Sequence, residues 1–415
     1  MNKDVIIVGA GASGLICGCA LDDRAVILEA TPRAGTKLLM AGSGRCNLTH
    51  GGDIREFPGH YGDHGKKIRG ILYKYNNAHF CRFMEKLGVP LTEREDAKVF
   101  PASMNGRDVL DALLTENSRK GVAIKRGYRV VSIRRRGDGE PGFLLTAEKD
   151  GSEYRYCCRF LVIATGGCSY PSTGSDGKMF GILKRDLGIA VEEPAPALSP
   201  VYVKDYPFGD LSGMSFEGVR LVIPQSRGKA FSARGDLLFA ERKLSGPLIL
   251  DNARRLAAGG AFIIGFLPGL SGPECAARMK ADFPGSGRSP QTYMSAVLGL
   301  PRRFSVRLAE LAGVSEMNVS ALSGEQIKKL STMITGYEFT VERLGDFSEA
   351  MATRGGVSLD ILDLTKMRVR ETPGLYIIGE AADIDGDTGG YNLQFAYSSA
   401  CAAAASVKAE LGERT

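Results

Sequence analysis

The sequence predicts an α/β protein, and three observations lead to that prediction. The chain opens with a largely apolar run, Asp4–Val8, which is typical of a strand buried on both faces of a parallel sheet. A glycine-rich turn and a helical segment follow, and Ala25–Leu28 has the pattern of a second buried strand. Near the other end, Leu375–Ile378 begins the same order of strand, glycine-rich turn and helix, with an alanine-rich helix expected over 395–411.

Composition and charge exclude several classes of protein. The chain has 415 residues, of which 44% are hydrophobic and 24% charged, so a disordered or collagen-like protein is excluded. The formal net charge of +6 is small for this length and is not concentrated in long basic runs, so nucleic acid is not expected as a partner. No run of about 18 apolar residues occurs, so we expect no membrane-spanning helix.

Cysteine usage indicates a reducing compartment and no metal site. The nine cysteines form neither a Cys-x-x-Cys pair nor a Cys/His cluster at zinc spacing. We therefore expect reduced thiols and a cytoplasmic protein. The alternation Asp383-x-Asp385-x-Asp387 resembles a calcium loop, but no acidic residue closes a loop of about 12 residues, so no metal is expected.

The first glycine turn has the spacing of a dinucleotide-binding fingerprint. Gly9-x-Gly11-x-x-Gly14 follows a strand and opens a helix, and Glu29 closes the next strand. The first glycine permits the tight turn, the second lets the backbone approach a pyrophosphate, and the third allows close helix–strand packing. The Glu29 carboxylate can accept hydrogen bonds from ribose hydroxyls. Because no second fingerprint follows a later strand, we assign this site to FAD and expect NAD(P)H to bind transiently.

The middle of the chain changes character near Glu192–Pro196. Short strand-like pieces between Gly/Pro turns then predict a small antiparallel barrel or sandwich, and helical patches follow it. We divide the chain into a first part of the FAD-binding domain over 1–193, an inserted barrel over 194–270, a helical insertion over 271–336 and a second part of the FAD-binding domain over 337–415.

A second polar segment, KLLMAGSGRCNLT over 37–49, presents a cation, a thiol and an amide in succession at Arg45, Cys46 and Asn47. Beside a flavin, these groups could hydrogen-bond the ring edge and stabilise charge on the reduced ring system. An exposed turn with a helix cap explains the same composition, and both interpretations stay open here.

Two further glycine-rich segments each follow a buried strand. In ATGGCSYP, over 164–171, the pair Gly166-Gly167 would allow close approach to a dinucleotide, and a structural hairpin is the alternative. In the segment 379–394, Glu380 at a strand end can bind ribityl hydroxyls. The helix that begins near Asn392 can stabilise negative charge near flavin N1 and O2.

Together these motifs resemble the BaiN-like family of FAD flavoproteins, whose members are often labelled NAD(P)/FAD-dependent oxidoreductase or aminoacetone oxidase. The matching pieces, which span residues 5–400, are VIIVGAGASGL, Glu29, KLLMAGSGRCNLTH, ATGGCSYPSTGSDG, TRGGVSL and GLYIIGEAADIDGDTGGYNLQFAYSSA. The resemblance implies an α/β fold in which a glutathione-reductase-like FAD-binding Rossmann domain is interrupted by an inserted β-barrel and a helical segment. One departure is His50, where relatives often have Asn.

The motifs and the resemblance also give the residues expected at the site. We expect FAD contacts at Gly9, Gly11, Ala12, Ser13, Gly14, Glu29, Lys37, Gly44, Arg45, Cys46, Asn47, Val131, Ala164, Thr165, Gly166, Gly379, Glu380, Gly390, Asn392 and Leu393. Arg45 and Lys37 would stabilise the anionic reduced flavin. Tyr391 is the candidate proton donor, and Cys46 is a second candidate.

The leading functional hypothesis is an FAD-dependent oxidoreductase. It would pass a hydride through flavin N5 between NAD(P)H and a small organic acceptor, for which an activated C=C bond is one candidate. An O2-using flavin amine oxidase is an alternative, and it would make hydrogen peroxide without NAD(P)H. A flavin-binding sensor or RNA-associated module is a third hypothesis, and it would use the basic residues Lys280, Arg288, Arg302, Arg303 and Arg307.

Overall fold

Two structural units, each with its own hydrophobic core, make up the part of the chain that the computed structural model describes, which is residues 2–137, 140–225 and 228–412. The first unit comprises the described residues up to Ala197 together with those from Phe347 onward. The second unit comprises the described residues within Leu198–Asp346.

The strands and helices of the described residues have the following bounds, given in chain order. The strands are β1 (Asn2–Val8), β2 (Ala25–Glu29), β3 (Thr49–His50), β4 (Leu91–Glu93), β5 (Lys98–Pro101), β6 (Ala123–Arg126), β7 (Arg129–Arg135), β8 (Phe143–Lys149), β9 (Ser152–Ile163), β10 (Val191–Ala197), β11 (Val201–Val203), β12 (Ser215–Ile223), β13 (Phe231–Phe239), β14 (Leu244–Ser245), β15 (Ala261–Gly265), β16 (Tyr337–Leu344), β17 (Ala352–Val357), β18 (Leu362–Asp363), β19 (Arg368–Val369) and β20 (Leu375–Ile377). The α-helices are α1 (Ala12–Ala20), α2 (Gly65–Lys74), α3 (Asn77–Lys86), α4 (Gly106–Arg119), α5 (Lys178–Leu187), α6 (Pro247–Leu250), α7 (Gly272–Asp282), α8 (Pro290–Ala296), α9 (Arg302–Ala312), α10 (Gly324–Thr335) and α11 (Tyr391–Glu410).

A parallel sheet forms the centre of the first unit. Its order is β20-β9-β1-β2-β6, and every neighbouring pair in that order is parallel. Val5 of β1 lies opposite Ala25 on one side and Phe160 on the other, and it is fully buried. This burial explains the apolar character of β1 and β2, because helices or loops cover both faces of such a sheet. Antiparallel strands are added to it at two places: β19 pairs with β20 at one end of this order, and β8 pairs with the inner strand β9.

The parallel arrangement brings the carboxyl ends of several strands to one edge of the sheet. The fingerprint glycines follow β1, Glu29 ends β2, Ala164 follows β9, and Gly379 comes soon after β20. Ligands of open α/β sheets bind at this kind of edge. The motifs that lie hundreds of residues apart in the sequence are therefore neighbours in the fold.

The second unit contains a closed barrel whose order is β11-β14-β13-β12-β15-β16. Helices α7–α10 share one hydrophobic core with it. The strand β16, which the predicted division at 336/337 assigned to the FAD-binding domain, lies in the barrel instead, because it pairs with both β15 and β11 and closes the ring.

Two of the basic residues considered for an RNA-binding role hold the second unit together. The Arg303 guanidinium donates to the Asp210 carbonyl, and Arg307 Nε donates to the Pro207 carbonyl at 2.7 Å. These contacts give Arg303 and Arg307 a structural purpose within the unit.

Within the described residues, no helix is both long enough and apolar enough to cross a membrane.

A buried amide joins α1 to α4 beneath the parallel sheet. Asn117 is fully buried, and its Nδ2 donates to the Leu15 carbonyl at 3.0 Å and to the Leu113 carbonyl at 2.8 Å. We expect Asn117→Ala to lower the free energy of unfolding by about 1–3 kcal/mol, because these buried contacts are lost. Urea denaturation measures the change. The exposed neighbour supplies the control, since Ser118→Ala should stay within about 0.5 kcal/mol of the wild type, and an equal loss in both variants would contradict the role of Asn117.

Candidate functional site

A cavity of about 830 Å³ opens at the carboxyl edge of the parallel sheet. Its wall includes the fingerprint turn after β1, the end of β2, the segment 33–43, part of β7 and the start of α11. The volume lies in the range of small-molecule and cofactor sites, which are commonly about 300–1,000 Å³. The cavity therefore has the position and the size that a dinucleotide requires.

The three fingerprint glycines have different local environments. A Cβ on Gly9, whose φ is +105°, would lie 2.4 Å from the Ala164 carbonyl oxygen, and a Cβ on Gly14 would lie 2.0 Å from the Gly9 carbonyl oxygen. A Cβ on Gly11 would meet no atom within 4 Å, and Gly11 lines the cavity. Gly9 and Gly14 thus permit close packing of β1, α1 and β9, whereas Gly11 leaves room for a ligand.

Glu29 is fixed at the rim of the cavity by short contacts. Its Oε2 accepts a hydrogen bond from the Ala10 amide at 2.8 Å, and its Oε1 accepts two from Thr31 at 2.7 Å. The side chain is largely buried, yet it lines the cavity. Each carboxylate oxygen can accept more than one hydrogen bond, so Glu29 still has capacity for ribose hydroxyls.

A second set of charged and polar groups ties distant segments together at the wall. Lys37 Nζ lies 2.7 Å from Glu380 Oε2 and 2.5 Å from Ser169 Oγ, and Ser169 Oγ donates to Glu380 Oε1 at 2.8 Å. The Thr353 amide also donates to Glu380 Oε1, at 2.9 Å. Lys37 and Glu380 are both among the lining residues, so this network fixes one charged wall of the cavity.

The helix α11 begins at the cavity. Gly390 precedes it with φ +98°, and a Cβ there would lie 2.6 Å from Thr49 Cα. The Asn392 side chain accepts from the Gly386 amide and donates to the Gly386 carbonyl, both at 2.8 Å. Asn392 and Leu393 line the cavity, so the positive end of the α11 dipole lies at its wall.

Two buried hydroxyls provide a test of whether a polar ligand fits. Thr165 Oγ1 and Ser175 Oγ both belong to lining residues, and neither has a hydrogen-bond partner within the described part of the chain. Buried polar atoms are rarely left without partners, so a polar ligand in the cavity would satisfy them. The space beside Gly11 and the polar groups at both ends of the cavity fit FAD.

The structure brings most of the predicted cofactor residues to the cavity wall. Those that line it are Gly9, Gly11, Ala12, Ser13, Glu29, Lys37, Val131, Ala164, Thr165, Gly166, Gly379, Glu380, Asn392 and Leu393. Those that lie outside the wall are Gly14, Gly44, Arg45, Cys46, Asn47 and Gly390, and the predicted proton donor Tyr391 lies outside it as well. No described contact tests their roles with FAD, so those roles stay predictions.

Arg45 and Cys46 do not line the cavity. Arg45 is exposed, and its guanidinium lies 5.7 Å from the centroid of the Phe100 ring. Cys46 is fully buried with φ +61°, and burial raises the pKa of its thiol to about 12. A thiol with that pKa stays protonated at neutral pH and is a poor proton donor.

Tyr391, the predicted proton donor, is buried in a cluster of aromatic rings. His60 stacks on one face at 4.0 Å between ring centroids, and His50 stacks at 5.5 Å. Burial, followed by the neighbouring His60, lowers the pKa of His50. The ring of Tyr391 is 3% exposed. Tyr391 and His50 lie in motifs that the sequence shows, whereas no sequence pattern indicates His60.

The sequence analysis also missed several cations of the wall. Arg33, Arg129 and Arg185 line the cavity, and Arg129 Nη1 lies 2.9 Å from Asp176 Oδ2. Arg33 lies in the segment directly after Glu29, and its position next to the fingerprint was the available signal. Arg129 and Arg185 reach the wall because separate parts of the chain pair and pack together. No local sequence pattern shows such long-range contacts.

The cavity and the strands that end at it define a Rossmann protein of the FAD-binding type. Comparison with protein families identifies it further: the HI0933-like protein Rossmann domain matches residues 3–406, and the chain belongs to that family. The predicted family resemblance and the predicted fold class are both confirmed.

Named relatives match almost the whole chain. The ribosomal RNA dihydrouridine synthase of Escherichia coli (strain K12) is 28% identical over 405 residues, covering 97% of each chain. The protein of the same name from Haemophilus influenzae is 28% identical over 411 residues, covering 97% of this chain and 98% of that one. The 3-dehydro-bile acid delta(4,6)-reductase of Clostridium scindens is 28% identical over 414 residues, covering 96% and 97%. These relatives support the coarser prediction of an FAD-type oxidoreductase.

Solved structures share the fold at low sequence identity. The 3-ketosteroid-delta4-(5alpha)-dehydrogenase of Rhodococcus jostii RHA1 has a TM-score of 0.52 at 15% identity, with 97% of each chain covered. The 3-ketosteroid delta1-dehydrogenase of Sterolibacterium denitrificans has a TM-score of 0.53 at 12% identity, with 99% of this chain and 100% of that one covered. At these identities the likeness concerns the fold alone.

Gly14 and Gly11 provide a matched pair for testing the cavity. We expect Gly14→Ala to lower the free energy of unfolding by at least about 1–3 kcal/mol, because its Cβ overlaps the Gly9 carbonyl. We expect Gly11→Ala to cost less than about 1 kcal/mol of stability, yet to weaken FAD binding at least about tenfold, because the methyl group enters the cavity. Thermal unfolding of the apoprotein and fluorescence titration with FAD measure the two effects. Unchanged FAD affinity in Gly11→Ala would contradict the assignment.

Proposed function

We propose that this protein is an FAD-dependent reductase of C=C bonds conjugated with a carbonyl group, with NAD(P)H as the electron donor. The observation that carries the proposal is the cavity at the sheet edge, which combines the fingerprint, the Lys37–Glu380 pair and the start of α11. The reaction is inferred from the chemistry that the named relatives have in common.

Those relatives act on very different molecules but share one type of bond. Dihydrouridine differs from uridine by two hydrogens on a ring C=C bond that is conjugated with a carbonyl. A delta(4,6)-reductase of a 3-dehydro-bile acid acts on C=C bonds conjugated with the 3-keto group. Reduction of a conjugated C=C bond is therefore the most specific reaction that is consistent with the names of both relatives.

The residues of the wall would hold FAD in a fixed orientation. The backbone at Gly11 and the N-terminus of α1 would face the pyrophosphate, and Glu29 would accept from the ribose of the adenosine. Glu380, held by Lys37 and Ser169, would accept from ribityl hydroxyls. When bound, FAD would supply the two-electron chemistry that links NAD(P)H to the acceptor.

The start of α11 supplies the electrostatic part of the mechanism. The first backbone amides of a helix have no partner within the helix, and together they carry a partial positive charge. Asn392 and Leu393 lie in that first turn and line the cavity. They would stabilise negative charge on a neighbouring ring system, and this role requires no ionised side chain.

Two kinds of acceptor, a small molecule and an RNA, fit the proposed reaction. The sequence analysis expected a small molecule because the net charge is low, yet two of the relatives are named for ribosomal RNA. Uridine within RNA is therefore a candidate acceptor beside keto steroids and other enones. Both kinds of acceptor contain the same conjugated bond, so one assay can compare them.

Anaerobic spectroscopy of the protein with bound FAD tests the proposal. We expect NADPH or NADH to bleach the visible absorption, and we expect an enone such as a 4-en-3-one steroid, or a uridine-containing ribosomal RNA fragment, to restore it. The product is the saturated ketone or dihydrouridine, identified by mass spectrometry. Bleaching by an amine instead, with hydrogen peroxide formed in air, would favour the amine oxidase.

Two lysine variants provide a matched control for the cavity wall. We expect Lys37→Met to raise the dissociation constant of FAD roughly 10–100-fold, because a charge-assisted hydrogen bond of about 1.5–3 kcal/mol to Glu380 is lost. Lys86→Met alters an exposed lysine of α3 and should leave FAD binding unchanged. Equal affinities in the two variants would exclude a role of Lys37 in holding the cofactor.

A further inference from the structure

Three of the four histidines in the chain lie near the start of α11. His50 and His60 stack on the ring of Tyr391 with interplanar angles of 18° and 12°. Phe57 and Tyr61 contact the same ring edge-on at 5.2 and 6.1 Å between centroids. Two stacked rings and two edge-on rings therefore pack against Tyr391.

The His60 side chain is anchored at one ring nitrogen. Its Nδ1 lies 3.2 Å from Asp387 Oδ2, and the Asp387 amide donates to the His60 carbonyl at 2.8 Å. An imidazole whose Nδ1 faces a carboxylate has a fixed tautomer and ring orientation, and its Nε2 is left for other partners. Over residues 2–137, 140–225 and 228–412, no hydrogen bond to His60 Nε2 is present.

A parallel pair lies on the same loop. His64 Nε2 is 3.2 Å from Asp383 Oδ2, and Asp383 Oδ1 accepts from the Gly355 amide at 2.8 Å. The Asp383 side chain is only 10% exposed, so this pair connects the loop to β17. The His60 side chain is 39% exposed, compared with 28% for the His64 side chain. The two pairs share their chemistry but differ in their access to solvent.

The cluster lies next to the cavity wall along the chain. Tyr391 directly precedes Asn392 and Leu393, which line the cavity, and Ile384, which follows Asp383, lines it as well. The Asn392 side chain is hydrogen-bonded to both the amide and the carbonyl of Gly386, which is the residue before Asp387. His60 and Asp387 are not themselves lining residues, but these hydrogen bonds connect them to the end of the cavity where α11 begins.

A purely structural role explains only part of this arrangement. The buried rings of Phe57, Tyr61 and Tyr391 stabilise the start of α11 as any aromatic packing would. That packing needs neither a carboxylate at His60 Nδ1 nor a ring with more than a third of its surface in solvent. An anchored imidazole with one nitrogen available is the arrangement of a general acid.

We propose that His60 is the proton donor of the reductase reaction, that Asp387 positions it, and that Tyr391 serves as the surface on which its ring is stacked. The proposal rests on the proposed function. In the step, the acceptor receives a hydride equivalent, ultimately from NAD(P)H, at one carbon of the C=C bond. The other carbon takes the proton from His60 Nε2, and the neutral imidazole recovers a proton from solvent. The acceptor gains two electrons and two hydrogens, and NAD(P)H becomes NAD(P)+.

The competing donors are less suited to this step. Cys46 is fully buried and stays a neutral thiol, because burial raises its pKa to about 12. Tyr391 is stacked against two rings and is almost fully buried, so exchange of its proton with solvent would need a relay. Burial lowers the pKa of His50, so a smaller share of this imidazole carries a proton to donate at neutral pH.

The first test uses spectroscopy of the histidines and requires no turnover. In the full-length protein with bound FAD and labelled histidine, His60→Gln identifies the His60 resonance by its loss. We expect the nitrogen shifts of His60 to show a protonated Nδ1, and Asp387→Asn to change the His60 resonance and not that of His79. A His60 resonance that is indifferent to Asp387→Asn would overturn the positioning role.

The second test separates the two half-reactions under anaerobic conditions. We expect His60→Gln and His60→Ala to be reduced by NAD(P)H as fast as the wild type, and to pass electrons to the acceptor roughly 10²–10⁴-fold more slowly. Added imidazole should partly restore His60→Ala, since the lost ring is solvent-accessible. His79→Gln is the control, because His79 caps α3 and glutamine can serve at the same capping-box position.

Each outcome distinguishes the inference from the function on which it rests. If no enone or uridine acceptor reoxidises the reduced wild-type enzyme, the proposed function fails, and the inference fails with it. If the wild type is reoxidised and His60→Gln matches it within about twofold, the function stands and the role of His60 is excluded. If Tyr391→Phe loses the acceptor step while His60→Gln keeps it, the phenol is the donor.

Discussion

The close approach between the β1–α1 turn and the end of β9 is the constraint on which the rest of the site depends. The Ala164 amide donates to the Val8 carbonyl at 2.8 Å, and a side chain on Gly9 would strike the Ala164 carbonyl. Gly14 has equally little room beside Gly9. Any larger residue would separate the two strand ends, and the walls that Gly11 and Thr165 provide would no longer face one cavity. The glycines are therefore needed for packing before they are needed for a ligand.

Local patterns in the sequence determine the first half of this arrangement, and they could be interpreted correctly. The apolar strand, the spacing of the three glycines and the acidic residue at the end of β2 lie within about thirty residues, where backbone geometry alone relates them. The assignment of β16 shows the limit of such patterns. The predicted division at 336/337 placed it in the FAD-binding domain, but its partners, β15 and β11, are a matter of long-range pairing. Alternation predicts a strand, while the register across the barrel decides to which unit it belongs.

The side chains of the site show the same limit more strongly. Lys37 and Glu380 were each noted for a plausible role, yet they are 343 positions apart, and only the fold reveals that they form an ion pair. His60 and Asp387 are 327 positions apart, and His60 lies in an irregular stretch without periodicity, so no pattern singled it out. Motifs show which groups are near a strand end, whereas the partner of each group depends on how loops from opposite ends of the chain meet.

These contacts between distant parts of the chain are concentrated on one short segment, residues 380–394. It receives Lys37 at Glu380, His64 at Asp383, His60 at Asp387 and, through a 2.7 Å hydrogen bond, Thr49 at Gln394. The N-terminal stretch that supplies these partners has little regular structure of its own, so its conformation depends on the last strand and helix of the chain. The proposed reaction requires that electrons and a proton reach adjacent carbons of one acceptor. Because Glu380 and Asn392 line the cavity and Asp387 is hydrogen-bonded to His60, the contacts that shape the cavity would also set the distance between the flavin and the proposed proton donor.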